Sequence, residues 1–204
     1  MTRDGRPLVR TRARSVFPEQ GADRMSEAKP SRGSPVILVD YDPEWPRRFE
    51  TERDRLAAAL GQAIEAIEHI GSTAVPGLPS KPVIDLMMGV KDVRSADALV
   101  PRVEALDYEY VPEFESILPE RRFFRQGPPE RRRFHLHLVP RRSDFWEAHL
   151  RFRDFLRRKP EIAERYHRLK VELAARFPDD SQAYSEAKTP FIEDVLRRAA
   201  AELL

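Results

Sequence analysis

Three side chains on two short apolar runs carry the clearest chemical signal in this sequence. In Val83-Ile84-Asp85-Leu86-Met87-Met88-Gly89-Val90, Asp85 is a lone carboxylate among apolar neighbours. An extended chain sends alternate side chains to opposite faces, so Asp85 shares a face with Val83 and Met87, while Ile84, Leu86, Met88 and Val90 share the other. An unpaired carboxylate is costly to bury. Asp85 therefore needs hydrogen-bond partners from a loop, or it faces a pocket that holds a ligand or a metal. In Arg133-Phe134-His135-Leu136-His137-Leu138-Val139 the same alternation puts Arg133, His135 and His137 on one side and Phe134, Leu136 and Leu138 on the other. Two imidazoles at i and i+2 can converge on one ion or one phosphate; they can equally be half-buried histidines with ordinary hydrogen bonds. With Asp85 on a nearby strand they form a two-histidine, one-carboxylate set suited to a divalent metal, or an acid/base pair for phosphate chemistry.

Small and basic residues are placed to serve the same chemistry. Gly71-Ser72-Thr73 lets backbone amides and two hydroxyls approach a bound anion, although Gly-Ser also marks ordinary turns. From Arg121 to Arg142 there are eight arginines and one acidic residue, Glu130. Such density can attract a triphosphate, a nucleotide or RNA. A solvated hairpin explains it as well and is favoured, since the aromatic residues interleaved there are only Phe123, Phe124 and Phe134.

The elements that must position these groups follow from periodicity. Val36 to Val39 is an extended arm or strand, and Trp45, Phe49, Leu56 and Leu60 recur at helical spacing before a Gly61 stop. Ile64 to Ile70 and Val83 to Val90 read as neighbouring strands joined by a Gly-, Ser- and Pro-containing loop. A helix over Ser95 to Leu106, with Ser95 as its N-cap, precedes short strands near Tyr108 to Val111, Arg122 to Gln126 and Arg133 to Val139. Gly127-Pro128-Pro129 supplies the turn between the last two. Three helices complete the chain: Asp144 to Arg158, Pro160 to Phe177 and Ser181 to Leu203. The order predicts an α/β (α+β) fold, a mixed sheet with packed helices and a helical C-terminal third.

Composition narrows the class. The chain has 204 residues, 41% of them hydrophobic, enough for one core. No run approaches the roughly 18 to 20 apolar residues of a membrane span. With no cysteine there is no disulfide, zinc-thiolate site or thiol nucleophile, and the expected location is cytoplasmic. Residues 1–34 hold eight Lys or Arg against four Asp or Glu. They lack apolar periodicity and are expected to be a disordered basic tail ahead of a domain over 35–204. Met25 is an alternative start.

Glu68-His69-Ile70-Gly71-Ser72-Thr73-Ala74-Val75-Pro76-Gly77-Leu78, Lys81-Pro82-Val83-Ile84-Asp85 and Phe134-His135-Leu136-His137-Leu138-Val139 together resemble the GrpB family. The likeness continues through Phe152 to Leu156, Tyr166, Leu169-Lys170, and Tyr184 through Lys188 to Phe191-Ile192, and spans roughly residues 36 to 200. The resemblance implies a nucleotidyltransferase-like fold, whose relatives hold triphosphate at a Gly-Ser turn and magnesium at two strand carboxylates. Related domains are fused to some dephospho-coenzyme A kinases. By position, Gly71 and Ser72 would meet phosphate, Asp85 would be the first metal carboxylate, and Lys188 would reach a phosphate; Thr73, Lys81 and Arg133 are expected from their own chemistry to add phosphate contacts. Met87 stands where the second carboxylate would be. A thioether is a poor ligand for Mg²⁺ or Mn²⁺, so either His135 and His137 complete the metal set or the centre binds a nucleotide or other phosphorylated small molecule without transfer. The Phe134 to Pro140 segment also resembles a histidine-triad hydrolase strand, with Arg133 where the first His would stand, but that family ends soon after the motif.

Overall fold

The computed structural model describes residues 35–202. The expected basic tail and the last two residues lie outside them. The first helix, α1 (Trp45–Leu60), buries Trp45, Phe49, Leu56 and Leu60 and ends at Gly61, whose φ of +59° suits a residue without a Cβ. Strand β1 (Ala66–Ile70) pairs antiparallel with β2 (Ile84–Val90). The helix α2 (Val93–Glu104) follows, then β3 (Glu109–Tyr110), β4 (Arg122–Gln126) and β5 (Phe134–Pro140). The sheet order is β1-β2-β5-β4-β3, with only β2 and β5 parallel. This is the mixed sheet expected from the sequence.

One sheet face packs on α1 and α2. Ile84, Leu86, Met88 and Val90 of β2 and Phe134, Leu136 and Leu138 of β5 join Leu56, Leu60, Leu99 and Val103 in the main core. The alternation read from both strands is therefore obeyed. On the other face, Ile70, Met87 and Val139 pack under Phe145 and Trp146 of α3 (Asp144–Arg158). The loop after β1 is held by α3, α4 (Pro160–Arg176) and α6 (Thr189–Ala201), through Val75 and Leu78 against Phe155, Leu156, Tyr166 and Val195.

Two local expectations need correction. The N-cap of α2 is Asp92, which accepts from the Ser95 amide at 2.8 Å, so the helix begins before Ser95. Asx side chains outrank this serine because the carboxylate also receives the Ser95 hydroxyl at 2.7 Å. The last predicted helix is two: α5 (Ser181–Glu186) ends at Ala187, and Lys188 caps α6 just before Thr189-Pro190. Proline has no amide hydrogen and fits a first turn, so the periodic pattern restarts there. Of the two readings of Val36 to Val39, the structure has the extended arm, tied down by an isolated bridge between Val39 and Ser80.

Candidate functional site

The parallel register of β2 and β5 places Asp85 beside His135 and Met87 beside His137. His135 Nδ1 lies 3.2 Å from Asp85 Oδ1, and His137 Nε2 lies 3.9 Å from the same oxygen. All three side chains retain some exposure, 28% for Asp85, 21% for His135 and 12% for His137. The predicted convergence therefore exists. The surrounding protein pushes the Asp85 carboxyl up, but the imidazoles of His135 and His137 outweigh it and hold the group well below the ordinary carboxylate range. Burial pushes His137 down to about 3, so it is neutral at pH 7. Arg121 Nη1 stands 3.4 Å from His137 Nδ1. A guanidinium only donates, so Nδ1 is the acceptor and the Nε2–H of His137 is directed at Asp85.

The bend after β1 meets Asp85 from the other side. Ile70 is the register partner of Asp85, which brings Gly71 directly against the carboxylate. At φ +72°, a Cβ added to Gly71 would sit 2.3 Å from Asp85 Oδ2. Glycine is required there on both counts. Ser72 meets the buried Tyr166 hydroxyl. Thr73 turns inward instead: its Oγ1 is 3.0 Å from His69 Nε2, and His69 stacks on Phe49 with ring centroids 4.7 Å apart.

Three lysines close on this centre from the loop and the C-terminal helices. Lys81 and Lys188 both lie over the Tyr184 ring, 5.7 Å and 4.5 Å from its centroid. Lys170, on the inner side of α4, is 1% exposed, lies over Tyr166 and donates to the Pro79 carbonyl. Burial lowers all three amines, Lys170 to about 7 and Lys188 to about 8, and the Asp85 charge opposes the shift at Lys81 and Lys188. Among the described residues, the lysine found in an ion pair is Lys159, with Glu202. The place of Lys170 beside the site depends on the packing of α4 over the 71–82 loop; in the sequence it is marked only as a basic residue at an apolar helix position and by the Leu169-Lys170 pair of the resemblance.

The arginines divide. Arg133 is exposed ahead of β5 and, with Arg47, Arg48 and Glu52, lines a separate groove of about 460 Å³ against α1. Arg125, opposite His135 on β4, and Arg121 at the end of the preceding loop turn to the side of the sheet that carries the histidines. His149 of α3 lies 6.3 Å from His137 and, pushed down to about 4 by burial, is neutral.

This donor set does not fit Mg²⁺ or Mn²⁺. Among the described residues, no group of three or more His, Cys, Asp or Glu side chains is arranged to hold a metal ion. His135 commits Nδ1 to Asp85 Oδ1, and His137 turns Nδ1 to Arg121 while its Nε2 faces the same carboxylate oxygen from 3.9 Å. Met87 is 0% exposed in the core under α3, so it offers nothing to the centre. Hard cations need several oxygen ligands, and lysines gathered around one carboxylate oppose a second positive charge.

A mixed five-stranded sheet with helices on both faces, a Gly-Ser bend against a strand aspartate and two histidines alongside defines an α/β protein of the kind the sequence resembled. The profile of the GrpB protein family matches residues 35–198, and the chain belongs to that family. The crystal structure of conserved protein GrpB from Enterococcus faecalis is similar with a TM-score of 0.72 and 36% identity, over 82% of this chain and 99% of that one. The YqkA protein of Bacillus subtilis is 31% identical over 194 residues, 90% of this chain and 56% of that protein. A dephospho-CoA kinase of Mycolicibacterium paratuberculosis is 32% identical over 191 residues, 81% of this chain and 46% of the kinase. The chain thus spans about half the length of these two relatives.

Proposed function

We propose that the chain binds a phosphorylated small molecule, a nucleotide or a phosphorylated coenzyme, through its phosphate and without a divalent metal. Lys81, Lys188 and Lys170 supply the charge, Ser72 and the bend at Gly71 supply hydrogen-bond donors, and Asp85 with its two histidines forms the floor. The observation that carries this is the placement of Lys81 and Lys188 beside Asp85, with the buried Lys170 behind Lys188, none of the three paired with a carboxylate among the described residues. Buried charges without partners are costly unless a ligand supplies the counter-charge. The matched stretch of the mycobacterial kinase belongs to a protein named for a phosphorylated coenzyme, which agrees with this ligand class. A nucleotidyltransferase-like ancestry agrees as well, with metal-dependent transfer set aside because the second carboxylate position is the buried Met87.

A second reading is acid/base catalysis on a phosphate ester. The 3.2 Å contact between Asp85 and His135 favours it, because a carboxylate on Nδ1 fixes the imidazole tautomer and leaves Nε2 able to take a proton. Calorimetric titration of the full chain with adenosine diphosphate and with coenzyme A, in EDTA and again with Mn²⁺, tests the first reading. Binding in EDTA that weakens about tenfold or more in Lys188→Met is expected; absence of binding to the wild type under both conditions refutes it. Release of phosphate or nucleotide during the same incubations, lost in His135→Gln, would establish the second.

A further inference from the structure

The lysines account for one end of the polar centre and leave two arginines at the other end unexplained. Cross-strand neighbours on one sheet face run Ile70, Asp85, His135, Arg125 across β1, β2, β5 and β4, and the next row includes Met87, His137 and Phe123. Arg121, at the foot of β4, projects back over that second row: its guanidinium lies 5.0 Å from the Phe123 centroid, 5.6 Å from Phe114 and 5.7 Å from Phe145. Arg125 lies over Phe114 and Phe123 at 5.7 Å and 5.5 Å. Neither pairs with a carboxylate among the described residues, although Arg122 between them binds Asp97 at 2.6 Å and Arg132 binds Glu109 at 2.7 Å. Arg121 Nε is buried and has no hydrogen-bond partner. The aromatic rings hold both side chains in place and cannot neutralise them. Glu109 and Glu113 act on Arg125 only from a distance, and the Arg125 charge reaches Lys81, which it pushes down against the pull of Asp85.

Positive groups therefore flank the single carboxylate on both sides, Lys81 and Lys188, with Lys170 behind them, on one and Arg121 and Arg125 on the other. We propose that Arg121 and Arg125 form a second anion subsite, so that the centre takes a small molecule with negatively charged groups at both ends. This rests on the phosphate reading of the lysines. Arg125 sits two strands from Asp85, roughly 10 Å across the sheet, which sets the scale on which the two anionic ends are held apart. The planar guanidinium of Arg121, clamped by rings and with a free Nε, suits a second phosphate or a carboxylate.

Linear inorganic polyphosphates of different length test this without knowledge of the natural ligand. Pyrophosphate reaches one subsite, and a linear hexaphosphate reaches both. In EDTA at about 0.15 M salt, the full chain is expected to bind hexaphosphate about tenfold or more tighter than pyrophosphate. Arg121→Met and Arg125→Gln should each remove most of that advantage and weaken pyrophosphate far less than hexaphosphate, while Lys188→Met weakens both ligands alike. Two variants guard against one failing to fold, which thermal melting would reveal. Arg47→Gln, in the groove against α1, controls for general surface charge. If both arginine variants keep the length advantage, or Arg47→Gln loses as much as they do, the second subsite does not exist and the lysine reading survives. If neither polyphosphate binds the wild type, both fall.

Discussion

At Asp85 a carboxylate, a glycine and two imidazoles are fitted so closely that small changes should have large and separable effects. Gly71→Ala adds a Cβ 2.3 Å from Asp85 Oδ2 at a backbone φ of +72°. It is expected to destabilise the chain by about 1–3 kcal/mol in urea titration and to abolish phosphate binding by displacing Asp85. The lysines predict a pH dependence whose sign is fixed. Lys170 and Lys188 have folded-state values of about 7 and about 8 against 10.5 for the ordinary side chain. Between roughly pH 7 and pH 10 the unfolded chain binds more protons, so the stability of the ligand-free protein should rise with pH across that window. A bound anion reverses the preference by favouring the charged amines. Phosphate affinity should be highest near pH 7, fall toward pH 9.5, and be accompanied by proton uptake, measurable by calorimetry in buffers of different ionisation enthalpy.

The secondary elements bring these residues together, and period-two alternation made most of that legible beforehand. Ile84, Leu86, Met88 and Leu136 enter the core as the strand pattern requires, which leaves Asp85, His135 and His137 on the other face. The parallel register that aligns Asp85 with His135 was not legible, because it depends on the β2–β5 crossover and on which strand edge remains free. Lys170 stayed hidden for a related reason: its meaning depends on which loop α4 covers. The break at Lys188 was written as Thr189-Pro190, but helical periodicity on both sides obscured it. One buried polar link ties α1 to the strand edge. Glu52 is 7% exposed, accepts from the Tyr108 hydroxyl at 2.8 Å and pairs with Arg55. Tyr108→Phe leaves that carboxylate short of a donor and should cost about 1–3 kcal/mol in a denaturant titration, with phosphate binding unchanged. Met87→Glu tests the other face. It buries a carboxylate among Ile70, Val139, Phe145 and Trp146, and should unfold the chain rather than create a metal site.

Across the whole molecule, charge is nearly balanced, with 36 Lys and Arg against 34 Asp and Glu, yet its placement is uneven. The cations of the surface pair locally, as Arg47 does with Glu44 and Arg197 with Asp194, while those around Asp85 do not. No helix among the described residues is long and apolar enough to cross a membrane. The hydrophobic pattern carries most of the fold, whereas the proposed phosphate site depends on a charge imbalance created only when the loop after β1, the outer strands and the C-terminal helices meet. A crystal structure of the full chain with a nucleoside diphosphate in EDTA examines that imbalance directly. The expected result is a phosphate within hydrogen-bond distance of Lys81 Nζ, Lys188 Nζ and Ser72 Oγ. Density confined to the Arg47 and Arg133 groove, or no density despite saturating ligand, would contradict it.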